Sequence, residues 1–462
     1  MTGFPWQIGD ALLAADLNAA IAGGGAVPAG GSIQAAIDAL PATGGEVRLS
    51  PNTTYVVTTA IASSKPNVRL SASDWSAVIQ RGPALAGTLL QLMGAGCLIE
   101  GMTFDGNGSV NTSGQAEVQI SGANSRITNV QVINSAGVIM VAATGAGCRV
   151  DHCTLTGMGT SLSTQRGYGI WAINHVQVFI DHNKITGTGI DGIGVDGPGS
   201  IVDANYIKGC HCWSGSAGAQ TAIYPYVGAD AGTVFSNNFI GQGGSVTSGA
   251  LEAGGNNLTI SGNTIVNQYG GAIGVDSGHG ITITGNTIVN VGLDGSGAQD
   301  GITIQPGVTD FSITGNRVGD DATPPTMRWP IIVQTGASDR YAITGNVLAP
   351  NTDANNRIVD GGTGVIKVIQ DNAGADTVVP YAVSGTTTQL YSGSHVQRLQ
   401  NSGTLAITSI AAQNTMRGTV KILLPNAAFV FTAGNNINNT VTATPNVPLI
   451  MVCDDLGKWW VR

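Results

Sequence analysis

Two carboxylates open the functional reading of this chain. Glu252 and Asp276 stand in similar apolar phrases, ALEAG at 250–254 and AIGVD at 272–276. Hydrolysis of a glycosidic bond needs such a pair: one carboxylic acid protonates the leaving oxygen, and one carboxylate serves as base or nucleophile. If both phrases are strands on neighbouring coils, the two residues are offset by two positions. At ~4.8 Å between strands and ~3.3 Å per residue their Cα atoms lie roughly 8 Å apart. Side chains can then bring the carboxyls into the ~6.5–9.5 Å range of inverting hydrolysis. Asp191, Asp196, Asp294 and Asp300 are further acidic candidates in the same part of the pattern.

Aromatic faces stack on sugar rings, while carboxylates and amides take hydroxyls. Trp171, Tyr224 and Tyr226 fall at outward positions of related phrases, with Gln305 further along; Trp213 and Arg166 lie in adjoining loops. These six are the candidate substrate-binding residues. Elimination next to a uronate is the competing chemistry, and it needs a base and often Ca²⁺ held by Asp. Arg166, Lys184, Lys208, His211 and Arg328 are available for it, but they form no basic cluster in the sequence. His211 lies between Cys210 and Cys212 without a second pair of ligands, so no metal and no cofactor is expected.

The elements that position these residues are repeats. The phrase ISGNTI at 260–265 returns as ITGNTI at 283–288, ITGNRV at 313–318 and ITGNVL at 343–348. Looser copies start at 99, 127, 150, 180, 202 and 235, so coils recur 22 to 33 residues apart. A period of that size marks a solenoid. Alternating β-branched residues read as short strands, and the Gly-Asn inside each phrase reads as a turn with one left-handed residue. Asn recurs at one register, at 183, 205, 238, 263, 286, 316 and 346, with Cys153 one coil earlier. Stacked at strand spacing, those side chains can form an inward hydrogen-bonded ladder. A second phrase follows each variable loop and places Ile170, Ile193, Ile223, Leu251, Ile273, Ile302 and Ile331 in one inward column. The expected fold is all-β: a right-handed parallel β-helix, with short N-terminal helical segments and a small C-terminal β module.

Composition agrees. The chain has 462 residues, 68 of them Gly, with 10% charged and a net charge of −9. Only 19 Lys and Arg are spread along it, which argues against nucleic acid and leaves a neutral or amidated glycan open. No apolar run reaches the ~20 residues of a membrane span, and the N-terminus MTGFPWQIGD shows no signal-peptide pattern. The six Cys follow no disulfide framework and read as small buried thiols.

In order, residues 1–31 hold an amphipathic stretch (9–22) and a Gly-rich linker, and residues 32–96 a capped helix (32–40) and the first strands. The β-helix spans 97–377 and a separate β module 378–462, ending in KWWVR. The run SIQAAID, then GGEVRL, then PNTTYVV resembles the opening of pectate-lyase-like β-helix proteins, bacteriophage tailspikes above all; Asn52 to Tyr55 lacks the Gly usual there. The stretch WQIGDALLAADLNAAIA at 6–22 also looks like lead-in segments of phage tail proteins. The resemblance covers about residues 1–375. It implies a homotrimeric virion protein that joins tail or baseplate proteins through its N-terminus and degrades a bacterial surface polysaccharide. The expected function is therefore glycan binding with glycoside hydrolysis. A non-catalytic receptor-binding protein, or a lyase or epimerase of the same fold, is the alternative.

Overall fold

The computed structural model describes residues 26–462 except 112–113, 159–166, 174–176, 211–221, 226–231, 243–248, 350, 352–356, 365, 375–379, 383–386, 389–395, 401–404, 411–419, 426–427 and 455–457. The amphipathic stretch at 9–22 lies outside these. The chain divides into two compact units, Met1–Thr233 and Val234–Arg462. The architecture is the expected right-handed parallel β-helix.

In the N-terminal unit each coil gives one short strand to each of three parallel sheets. Cys148–Asp151, Thr154–Met158 and Tyr168–Ala172 form one coil; Val178–Asp181, Lys184–Thr186 and Ile193–Val195 form the next and pair with them in order. The C-terminal unit repeats the pattern with Thr259–Ser261, Thr264–Val266 and Ile273–Ser277, followed by His279–Thr284, Thr287–Val289 and Ile302–Ile304. Columns of β-branched residues face inward. Val150, Ile180 and Val202 are fully buried in the first unit, and Ile260, Ile283 and Ile313 in the second. The helix Ile33–Ala39 is capped as the sequence requires, with the Ser32 hydroxyl accepting from the Ala35 N–H.

The Asn ladder is present and faces inward. Asn286 shows its bonding. Its Oδ1 accepts from the Asn263 N–H at 2.9 Å and from Asn263 Nδ2 at 3.0 Å. Its Nδ2 donates to the Ile260 carbonyl and to Asn316 Oδ1, both at 2.9 Å. Every donor and acceptor of the amide is thus satisfied in a position only 1% exposed. Asn238, Asn263, Asn286, Asn316 and Asn346 form one continuous run, which Asn372 extends beyond the sequence motif. In the N-terminal unit Asn183 bonds to Asn205, and the Cys153 N–H donates to Asn183.

The residue before each ladder position is left-handed. Gly262, Gly285, Gly315 and Gly345 have φ between 64° and 67°, and His152 and His182 take 55° and 56° at the same place. These two His are turn residues, as their sequence context indicates. Their Nδ1 atoms bond to Asp151 and Asp181, and the rings stack at 5.1 Å.

Cys97, Cys148, Cys153, Cys210 and Cys453 are buried and form no disulfide among the described residues. Burial pushes the Cys153 thiol up to about 12. An ion pair that the sequence does not announce lies inside the N-terminal unit: Arg81 and Glu117 are both fully buried, 2.9 Å apart. Arg81 also donates to the Leu85 and Gly87 carbonyls, while Glu117 accepts from Ser135, Ala136 and Gly137.

The last residues form mixed sheets. Val420–Pro425 pairs antiparallel with Leu449–Cys453, which pairs with Trp459–Val461. Leu423, Phe429, Phe431, Met451 and Trp459 make their core. Trp459 therefore packs within its own chain, whereas Trp460 is 43% exposed.

Truncating one rung tests the ladder. Asn286→Ala removes the acceptor of the Asn263 N–H, one of the two acceptors of Asn263 Nδ2 (the Phe235 carbonyl remains) and a donor to the Ile260 carbonyl, at ~1–3 kcal/mol for each buried group left short of a partner. The expected loss is ~3 kcal/mol or more, read as a lower urea midpoint, against ~0.5 kcal/mol or less for the outward Thr287→Ala. Equal midpoints for the two variants would show that the ladder contributes nothing.

Candidate functional site

Glu252 projects from the strand Leu251–Gly254 and Asp276 from the strand Ile273–Ser277. The two strands pair in parallel, Leu251 opposite Ile273 and Glu252 opposite Gly274. The register then shifts, so that Gly254 faces Ser277 and Asp276 becomes the extra residue of a bulge. The simple alignment of Gly254 with Asp276 is thereby corrected. A bulge turns a side chain out of the regular alternation, and here the residue it re-aims is the second carboxylate.

Both carboxylates line a cleft of about 250 Å³ in the C-terminal unit. Thr303, Gln305 and Gln334 continue it along the following coils, with Asp300 and Arg328 at its side. Gly249, Gly271 and Gly274 give it bare backbone walls. A Cβ on Gly274 would lie 3.5 Å from Glu252 Cγ, and one on Gly249 3.6 Å from the same atom. Anything larger than a methyl group at either position would therefore fill the space next to the Glu252 carboxyl.

The electrostatics of the two acids follow from this placement. Burial, with the Asp276 charge adding to it, pushes the Glu252 carboxyl up to about 7. Asp276 is more open to solvent, and partial burial raises its carboxyl as well. Asp300 is different. Arg328 holds it by a two-pronged contact, Nε to Oδ1 at 2.9 Å and Nη2 to Oδ2 at 2.6 Å. That guanidinium lies 4.0 Å over the Trp329 ring. The segment leading to it is pinned by Asp320, which accepts from the Met327 N–H at 2.9 Å and from Thr326 Oγ1 at 3.0 Å.

The structure sorts the sequence candidates accordingly. Glu252, Asp276, Asp300 and Gln305 come together in the cleft, but Asp300 is neutralised by Arg328 and acts as part of the wall. Asp294 is a turn residue that accepts from the Ser296 N–H and from Gln299. Asp191 and Asp196 belong to the N-terminal unit, are each 1% exposed and do not line the cleft. Trp171 belongs to that unit too: it sits beside Gly194 in register, with its ring 4.3 Å from that of Tyr168. Tyr224 follows in the same row by its backbone. Tyr226, Trp213, Arg166 and His211 lie outside the described residues. Sequence reasoning gave no role to Gly249, Gly271 and Gly274; the signal available was the Gly opposite Glu252 in the aligned phrases.

Residues 136–318 match the family model of the right-handed β-helix region. Among solved structures the chain is similar to a double mutant of the tailspike protein of E. coli bacteriophage HK620 in complex with a pentasaccharide. That likeness has 13% identity and a TM-score of 0.53, covering 93% of this chain and 87% of that one. It is also similar to a PL6 alginate lyase in complex with a trisaccharide, at 14% identity and a TM-score of 0.53, covering 78% and 82%. The A-module of the mannuronan C-5 epimerase AlgE6 of Azotobacter vinelandii gives 15% identity and a TM-score of 0.50, covering 74% and 93%. A search of curated protein sequences gives no significant match. The class that emerges is a tailspike- and pectate-lyase-like β-helix, a statement about fold.

The raised Glu252 carboxyl predicts a pH signature in stability. A folded-state value near 7, above the ordinary 4.5, favours the protonated form in the folded protein. That contribution is fully present below about pH 4.5 and is lost as pH rises through about 7. The melting temperature of the native protein should therefore fall between pH 5 and 8 relative to that of Glu252→Gln. Parallel curves would mean that Glu252 ionises normally.

Proposed function

We propose that the protein is a tailspike-like component of a phage particle that binds a bacterial surface polysaccharide in the cleft at Glu252 and Asp276 and hydrolyses it. The observation that carries this reading is a carboxyl held up to about 7 next to a second, more exposed carboxyl. Glu252 keeps its proton near neutrality and can donate it to the glycosidic oxygen. Asp276 ionises more readily in its more open position and can take the proton of an attacking water or attack the sugar itself; the separation of the carboxyls during reaction decides which. Thr303, Gln305 and Gln334 offer hydroxyl and amide groups to the sugars on the following coils.

The neighbours of the same fold in complex with a pentasaccharide and a trisaccharide support a glycan as ligand. Hydrolysis is favoured over elimination because Arg328, the cation of the cleft among the described residues, is committed to Asp300. A stabilised uronate carbanion would need that positive charge free.

Assembly as a homotrimer fits the outward face of the C-terminal sheet. There Val420, Val452 and Trp460 stand in one row across three strands, with Ile422 and Ile450 in the next. Attachment to tail proteins is assigned to residues 1–31.

Incubation with purified host polysaccharides, following fragment size and absorbance near 235 nm, tests the activity. Hydrolysis gives shorter fragments without new absorbance. Glu252→Gln and Asp276→Asn should each lower turnover ~10²–10⁴-fold while retaining glycan binding. The rate should fall as pH rises through about 7, where Glu252 loses its proton, and fall again on the acid side as Asp276 gains one. New absorbance would mean elimination, and retention without fragments a binding spike. In light scattering the native protein should have three times the chain mass, and Trp460→Glu should weaken that assembly; a monomeric native protein would overturn the trimer.

A further inference from the structure

The charge inventory around the cleft bears on which glycans it admits. Between residues 234 and 374 the chain carries five Lys and Arg residues, Arg317, Arg328, Arg340, Arg357 and Lys367, besides His279, which does not line the cleft. Four have carboxylate partners. Arg328 pairs with Asp300, Arg340 with Asp310 and Lys367 with Asp360, at 2.6–2.7 Å, and Arg317 approaches Asp321 at 3.7 Å. Arg357 is partly buried, its Nε has no hydrogen-bond partner, and it does not line the cleft. Eleven carboxylates lie in the same span, three of them (Glu252, Asp276 and Asp300) on the cleft itself.

The environment of the two acids tells the same story from the inside. The Glu252 carboxyl responds to burial and to Asp276, and the Asp276 carboxyl to burial. Among the described residues no basic side chain offsets either one. Beyond them the cleft continues through Thr303, Gln305 and Gln334, the two amides standing one residue past the paired Ile304 and Val333. Hydroxyl and amide groups both donate and accept hydrogen bonds. They match sugar hydroxyls and acylamino groups and supply no charge to balance an anion.

We propose, resting on the reading of this cleft as a glycan site, that the sugars bound at Glu252 and Asp276 are uncharged: neutral hexoses or N-acylated amino sugars rather than uronates or phosphorylated units. A uronate carboxylate seated here would face Asp276 and Asp300 with Arg328 already neutralised. It would also raise the cost of ionising either acid, since like charges within a few ångströms repel in a partly desolvated site. The same shortage of positive charge works against C5 proton abstraction, the step shared by elimination and epimerisation, because charge builds on the uronate carboxylate as the proton leaves.

The test uses the full-length protein and a panel of immobilised bacterial polysaccharides, neutral and uronate-containing, together with each acidic polymer after chemical reduction of its carboxyls to alcohols. Retention is measured at fixed pH and moderate salt. The expected result is binding within the neutral group, and a gain of about tenfold or more for an acidic polymer once it is reduced. Binding to an acidic polymer that is lost on reduction overturns the uncharged assignment and leaves the glycan site standing. Failure to bind neutral, acidic and reduced polymers alike overturns the glycan reading itself. Repeating the assay with Glu252→Gln and Asp276→Asn locates the effect: a charge preference unchanged in both variants places the discrimination elsewhere on the protein and sinks the proposal for this cleft.

Discussion

The structure depends on how buried polar backbone is satisfied at the turn of each coil. A solenoid of short strands must bend its chain inward of its own surface, and an unpaired amide or carbonyl there costs ~1–3 kcal/mol. Asn answers this at one register, because its amide offers two donors and two acceptor positions. In Asn286 all four are used, linking the coil before to the coil after. The left-handed residue preceding it, Gly285 at φ 65°, sets the bend that aims the side chain inward. His152 before Cys153 and His182 before Asn183 keep the left-handed conformation with an exposed side chain, so the turn does not depend on glycine.

A stiff, regular scaffold makes a small irregularity informative. The strands that carry Leu251, Ile273, Ile302 and Ile331 keep their inward column throughout. Against that regularity, the register shift after Ala253 moves one residue, and that residue is Asp276. Glu252 stays in the ordinary outward row but is shut in by glycine backbone on its neighbours and by the wall that Arg328 and Asp300 build. The two acids thus receive different environments from one sheet: one more enclosed and holding its proton, one more open. Paired carboxylates with separated roles arise in this way from environment rather than from residue type.

Other charges in the fold are spent on structure. Arg81 and Glu117 form a fully buried pair whose remaining hydrogen-bonding capacity is taken by six further groups around it. Lys367 and Asp360 form another, with the Tyr341 hydroxyl donating to the same carboxylate. In the C-terminal unit Lys367 and Arg328 are thus committed to Asp360 and Asp300, and among the described residues the cleft holds no unpaired cation.

The sequence by itself determined the architecture, because the physics of a coil is local. Alternating Ile, Val and Thr set strands, Gly-Asn set the bend, and a repeat of 22 to 33 residues stacked one upon another. It also determined that Glu252 and Asp276 would be neighbours, since coils pair in order. The reading stopped short at Asn372, where Gly374 stands in place of the apolar residue that follows Asn by two in the other phrases. Only the tertiary structure decided which acids share a site. Asp300 looks like Asp276 in sequence, but a residue 28 positions away neutralises it. Asp191 and Asp196 read as equivalent to the others, but both are buried within the N-terminal unit and do not line the cleft. Charge state depends on desolvation and on partners distant in the chain, and neither leaves a mark in the local pattern of residues.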